Sequence, residues 1–471
     1  MCNLLQNPSF EAGLSGWVTD NVGQNSVLAF EGTQAAVLNH GLASIFQDVL
    51  LPETVSGPLL LSFSVLSLYP PLVNPEGGNL VAEVIWQDVA GSPVGTGLRL
   101  FIPGTMLAHN ENRLTYIEVT DRPPANAAKV RLQFSKGELN SPEESLIIDQ
   151  VILAPLEDIN LVTNSGFQER LFDWNNANSG ASGFQPYEGT INAVLNSGGV
   201  GTIFQDIPIN SQPANSSFLL SFAVNSDNST PLLVTVDYRN GGGSLGIGLN
   251  LTIPPFAPSQ RGWKTYAVAT ETAAPAGATI ARVSFTGVDP GVAISVDKVI
   301  LTRVGTPNLI NNPSFETGLT NWTSENVIAT GTGDNYEGTQ HASASGPAFI
   351  FQDVNIQPSS SCCYLLTFGA QGVVSSDILA EVLWLNAAGR EIGLGTSLVI
   401  PRLALSGENA TGQLIPIFST FAAVTELSPL EATAARILFT VPNFSAPDID
   451  MVSFTRILCP PAPPPTRGIK F

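Results

Sequence analysis

The chain has 471 residues, 39 of them acidic and 19 basic, for a formal net charge of -20, and only 12% are charged while 44% are hydrophobic. That balance excludes disorder, and an acidic field with no local Lys/Arg cluster excludes a nucleic-acid partner. Abundant Gly (43) and Pro (35) point to an all-β protein with many turns.

The chain opens with Asn3-Leu4-Leu5-Gln6-Asn7-Pro8-Ser9-Phe10-Glu11. No classical signal peptide is recognisable before this run, and no apolar stretch approaches the ~20 residues that cross a bilayer. The expectation is an extracellular or cell- or spore-surface protein without membrane insertion. Trp17 follows, then the turn Phe30-Glu31-Gly32-Thr33 and the triplet Phe46-Gln47-Asp48. Strand patterns succeed one another at Leu60-Leu61-Ser62-Phe63, at Val81 to Trp86 before the turn Gly95-Thr96-Gly97, at Val130 to Phe134 and at Ile147 to Leu153.

The whole succession then repeats. The opening run returns at residues 160–168 and 308–316, with Trp174 and Trp322, Phe204-Gln205-Asp206 and Phe351-Gln352-Asp353 at matching offsets. A period of this size is one domain rather than a solenoid repeat. The boundaries expected are residues 1–156, 157–304 and 305–458, with a Pro-rich tail at 459–471. About eight strands per unit without helical periodicity predict three tandem antiparallel β-sandwich (jelly-roll) domains. The short, Pro-containing linkers predict a stiff linear rod.

The opening run, the Gln-Asp-Val before a Leu-Ser-Phe strand and the terminal Ile-Asp-x-Val strand together resemble the carbohydrate-binding modules of the galactose-binding-like jelly-roll superfamily. The resemblance implies a structural calcium (Ca2+) site where the first-strand Glu, the aromatic-Glu-Gly turn and the closing Asp converge. Those positions are Glu11, Glu31 and Asp149, then Glu188 and Asp297 with Gln168 replacing the first carboxylate, then Glu316, Glu337 and Asp450. The same acids equally suit turn capping.

For sugar binding, Trp86, Tyr238 and Trp384 form a repeat-equivalent set that could serve as a glycan platform, and Trp263 and Tyr69 lack an aromatic equivalent. Equivalent aromatics in strand patterns also fit a core. Nothing predicts an enzyme. His40, His109 and His341 occupy non-equivalent positions read as surface loops, Glu143-Glu144 reads as hydrated turn acids, and Gly241-Gly242-Gly243 as a hairpin loop.

The four cysteines do not follow the repeat: Cys2, Cys362, Cys363 and Cys459. In a linear rod Cys2 and Cys459 lie too far apart to bond. The expectation is therefore intersubunit disulfides from Cys2 to Cys362, Cys363 or Cys459 of a neighbour, with ordinary thiols as the alternative. Adjacent Cys362 and Cys363 point to opposite faces of a strand. The polyproline tail ending in Ile469 and Phe471 reads as an assembly element docked in a neighbour. The functional expectation is a self-assembling, head-to-tail structural subunit of a microbial surface fibre, with itself as partner; the alternative is a protein binding surface glycans through one groove per unit.

Overall fold

A computed structural model describes residues 2–52, 55–68, 78–109, 113–137, 144–196, 198–226, 230–256, 262–290, 293–356, 361–408 and 413–459. In the first unit ten strands form two sheets: β1 Val18–Asp20, β2 Val22–Asn25, β3 Ala35–Leu38, β4 Ala43–Leu50, β5 Leu59–Leu68, β6 Leu80–Gln87, β7 Pro93–Ile102, β8 Leu114–Val119, β9 Lys129–Lys136 and β10 Ser145–Pro155. One sheet has the order β1-β4-β9-β6-β7 and the other β2-β3-β10-β5-β8, with every pair antiparallel. The second unit repeats both orders strand for strand. In the third, the single strand His341–Asn355 runs through the positions of β3 and β4 and joins the two layers. The all-β sandwich expectation holds, and the extra strands beyond eight are the short edge pieces β1 and β2.

The repeated motif is the framework of this sandwich. Asn3 donates from Nδ2 to the Val151 carbonyl and accepts from Leu153 N–H, pinning the start of the unit to its closing strand; Asn160 and Asn308 do the same. Asn7 donates to the carbonyls of Gly13 and Ser15, accepts from Ala12 N–H, and offers its own carbonyl to Trp17 Nε1. In each Phe-Gln-Asp triplet the buried Gln ties itself to the backbone of the opening run at Gln6, Thr163 or Asn311. The Asp takes a bidentate pair of hydrogen bonds from an Arg on the next strand, and that guanidinium lies over the Phe ring at 3.9–4.1 Å.

The three units do not form a rod. Strand β8 and its equivalents, Trp263–Ala269 and Ser419–Val424, meet one another around a pseudo-threefold axis. Each unit docks on its predecessor, and the first docks on the third, so a head-to-tail contact closes into a ring after three steps. Beside three sandwich cores there is a fourth, axial hydrophobic cluster drawn from all units, including Leu60, Leu219, Leu365, Ile117, Ala267 and Ala422. The linear expectation failed because these inward-facing apolar residues on β5 and β8 read as ordinary strand alternation, whereas they face another unit.

Candidate functional site

The most elaborate chemistry in the described residues lies where units meet. Tyr187 stacks on Tyr116 at 4.4 Å, Tyr336 on Tyr266 at 4.5 Å and Phe30 on Phe421 at 4.4 Å, each pair crossing an interface. The Tyr187 hydroxyl donates to the Thr115 carbonyl at 3.0 Å and shares a 2.7 Å hydrogen bond with Thr265 Oγ1. Tyr336 repeats this with the Thr265 carbonyl and Thr420 Oγ1. Thr115 Oγ1 donates to the Thr420 carbonyl at 2.5 Å, and Thr420 Oγ1 to that of Thr265, so three equivalent threonines link the units around the axis. The glycine of each aromatic-Glu-Gly turn completes the clasp: Gly32, Gly189 and Gly338 donate their N–H to Val399, Phe101 and Thr252 of the neighbouring unit at 2.7–2.8 Å.

The proposed calcium ligands belong to this clasp. Asp149 accepts from the N–H groups of Phe30, Glu31 and Gln150, and Asp297 and Asp450 do likewise in their units. Both oxygens of Glu11 accept from Thr33 and Gln34, and Glu316 from Thr339 and Gln340. Among the described residues no group of three or more His, Cys, Asp or Glu is arranged to hold a metal ion. The hydrogen bonds these carboxylates accept are those of turn caps rather than of a cation's ligand set. Burial raises Asp149 to about 8 and Glu337 to about 7.

A β-bulge follows each closing Asp, with the next residue in the left-handed region: Gln150 (φ 50), Lys298 (φ 50) and Met451 (φ 48). The bulge aims that side chain at the preceding unit. Gln150 donates to the Ala422 carbonyl at 2.7 Å, Met451 joins the core of the second unit, and Lys298 Nζ lies 2.9 Å from Glu118 and 3.7 Å from Glu188. Burial opposes charge on Lys298, but Glu118 and Glu188 raise its pKa above the ordinary range; burial lifts Glu118 to about 7.

Several expectations are corrected. All four cysteines are paired within the chain, Cys2 with Cys363 and Cys362 with Cys459, so the intersubunit disulfides do not exist. Ring closure brings the first unit onto the third, which the linear premise had ruled out. The opposite orientation of Cys362 and Cys363 holds: Cys362 enters the third core and Cys363 the axial cluster. Trp86, Tyr238, Trp384 and Trp263 are 1%, 0%, 1% and 2% exposed, so none is a glycan platform. Trp263 packs with Tyr187 against the first unit, and Phe418 takes its place in the third. His341 is buried between Asn335 and Asp448 rather than on a loop surface. Glu144 is buried as well, accepting from Ser67 Oγ and Gly78 N–H. Glu143, Tyr69, Ile469 and Phe471 lie outside the described residues.

Among the described residues, polar grooves between units are open to a ligand. The groove between the second and third units has a volume of about 540 Å³, and its counterpart between the third and first about 220 Å³. Both are walled by the opening run of one unit (Pro313-Ser314 or Pro8-Ser9), by its turn Glu (Glu337 or Glu31), and by the equivalents of β7 in the other.

No protein-family model and no curated protein matches the sequence. The solved structures that match are mostly carbohydrate-binding-module jelly rolls. The tandem family 22 modules from Paenibacillus barcinonensis Xyn10C match at 11% identity and TM-score 0.24, covering 63% of this chain and 96% of that one. A family 61 module solved with β-1,4-galactotriose matches at 17% identity and TM-score 0.24, over 32% of this chain and 98% of its own. The enzymatically active domain of bacteriophage CBA120 tailspike protein 4 matches at 21% identity and TM-score 0.25, over 32% of this chain; only 21% of the tailspike chain is spanned. At these scores the assignment of fold rests on the strand order, not on the likeness.

Proposed function

We propose that this protein is a non-catalytic, extracellular glycan-binding platform, a single-chain pseudo-trimer of jelly-roll units. Two disulfides with no free cysteine suit an oxidising compartment. Among the described residues no helix is long and apolar enough to cross a membrane. The observation that carries the reading is the lining of the grooves between units: Asn250, Asn311, Ser314 and Glu271 in one and Ser9, Thr396 and Ser397 in the other bring amides, hydroxyls and a carboxylate to the surface. Such groups exchange hydrogen bonds with sugar hydroxyls. The test is a binding screen of the full chain against immobilised neutral and acidic polysaccharides, with reducing-end release assayed in parallel. Retention without hydrolysis is expected; cleavage of any retained glycan would refute the non-catalytic part, and retention of none the whole reading.

A further inference from the structure

The groove between the second and third units differs from its counterparts in what it offers. The side chains of Asn250, Glu271, Asn311 and Asn321 line it, and among the described residues none of the four makes a hydrogen bond or ion pair to the protein. At the same place in the ring the other interfaces carry different groups. Ser397 and Gly16 stand where Asn250 and Asn321 stand when the third unit meets the first. Arg99 and Asp173 stand there when the first meets the second, and Arg99 is already engaged with Glu83 at 3.4 Å. Gln6 offers an amide in place of Asn311 when the third unit meets the first, but the pair Asn250 and Asn321 occurs at one interface only, and of the two grooves that one is the larger.

Each amide presents a donor and an acceptor, the pattern that neighbouring hydroxyls of a sugar ring complete. Pro313 supplies an apolar wall for the ring's C–H face. Glu316 and Glu337 are not offered to a ligand, since Glu316 is held by Thr339 and Gln340 and Glu337 accepts from Thr252 N–H, but the carboxylates of Glu316 and Glu271 make the groove hostile to anions. The volume lies in the range of small-ligand sites.

We infer that this groove is the binding site for an uncharged sugar residue of a polysaccharide, with Asn250, Asn321, Asn311 and Glu271 as its hydrogen-bonding groups. The inference rests on the glycan-binding reading above and adds its location and ligand class. The sister units provide substitutions that the fold already accommodates, Asn250→Ser and Asn321→Gly. The experiment titrates xylohexaose, cellohexaose, β-1,4-galactohexaose and polygalacturonate into the full chain and into the N250S/N321G double variant by calorimetry, with melting curves confirming that both are folded. Loss of two hydrogen bonds at about 1 kcal/mol each corresponds to a weakening of roughly tenfold or more. Binding of a neutral oligosaccharide that weakens by that factor in the variant supports the site. Unchanged affinity in the folded variant overturns the site while leaving the glycan platform standing. Equal or tighter binding of polygalacturonate overturns the ligand class, and no binding of any probe by the native chain overturns this inference together with the function on which it rests.

Discussion

Removing the Cys2–Cys363 disulfide, by Cys2→Ser with Cys363→Ala, tests the ring most directly. The bond joins the start of the first unit to the third across 361 residues of sequence. In the chain-entropy account, closing a loop of that length restricts the unfolded state by about 6 kcal/mol, more than disulfides deliver in practice, and roughly 2–5 kcal/mol is the usual measured loss for a native bond. Both side chains are buried in the axial cluster, so the exchange to Ser and Ala also loosens packing there. Urea denaturation followed by tryptophan fluorescence should show a lower midpoint for the variant. The first unit should separate from the third before the sandwiches melt, visible as a new protease-sensitive species, because closure then rests on non-covalent contacts: the Phe30–Phe421 stack, the axial apolar cluster and the hydrogen bonds from Thr115, Gln150 and Gly32. The untreated wild-type protein should run as a monomer on a non-reducing gel. A reductant-sensitive ladder, or a midpoint that does not move, would refute the reasoning.

Other consequences follow from the clasp. Tyr187→Phe should cost about 1–3 kcal/mol by stranding Thr265 Oγ1, and Tyr336→Phe less, because Thr420 Oγ1 keeps its bond to the Thr265 carbonyl; Phe30 shows that a ring without the hydroxyl packs at this position, so chemical denaturation of the pair of variants reads the hydrogen bonds alone. Lys298→Met should destabilise by roughly 3–5 kcal/mol because it leaves Glu118 and Glu188 buried without their cation, and adding Glu118→Val, the residue the second unit carries as Val268, should recover much of it; equal stability of the single variant would argue against the ion cluster. Asp149 and Glu337 are raised by burial above the carboxylate range of an unfolded chain, so the folded form holds their protons more tightly. Stability from these groups is present at acid pH and is lost as pH rises through 7 to 8, and the melting temperature should fall between about pH 5.5 and pH 8.5. Chelator should leave the melting temperature unchanged, since the clustered carboxylates already accept N–H bonds; a drop of several degrees would restore the calcium reading.

The sandwich was legible because its signals are local. Asn3, Asn7, Trp17 and Gln47 each bond within their own unit, and the repeat displays that set three times. The ring was not legible, for a physical reason: a side chain buried against another unit has the same alternation as one buried in its own core. Ile117 and Leu60 face the axis, yet in sequence they cannot be told from Tyr116 and Phe63, which face inward. The Glu-Gly of each turn resembles part of a cation site in sequence, which does not reveal that Gly32 meets Val399. The cysteines stand out in sequence as the departure from the repeat, but their pairing depends on the ring, which no local pattern encodes. The departures at Asn250, Asn321 and Lys298 carry the individuality of each interface, and only superposing the three units in space brings them into view.

The two disulfides also define how the molecule would bear a pulling force. Because Cys362 and Cys363 are neighbours in sequence, tension applied between Cys2 and Cys459 travels through one disulfide, a single peptide bond and the other disulfide. Most of the chain between residues 2 and 459, including all of the second unit, is bypassed by this covalent shunt. Under oxidising conditions such a protein stretched by its ends would yield no sawtooth of unfolding sandwiches, and in reductant it would extend domain by domain.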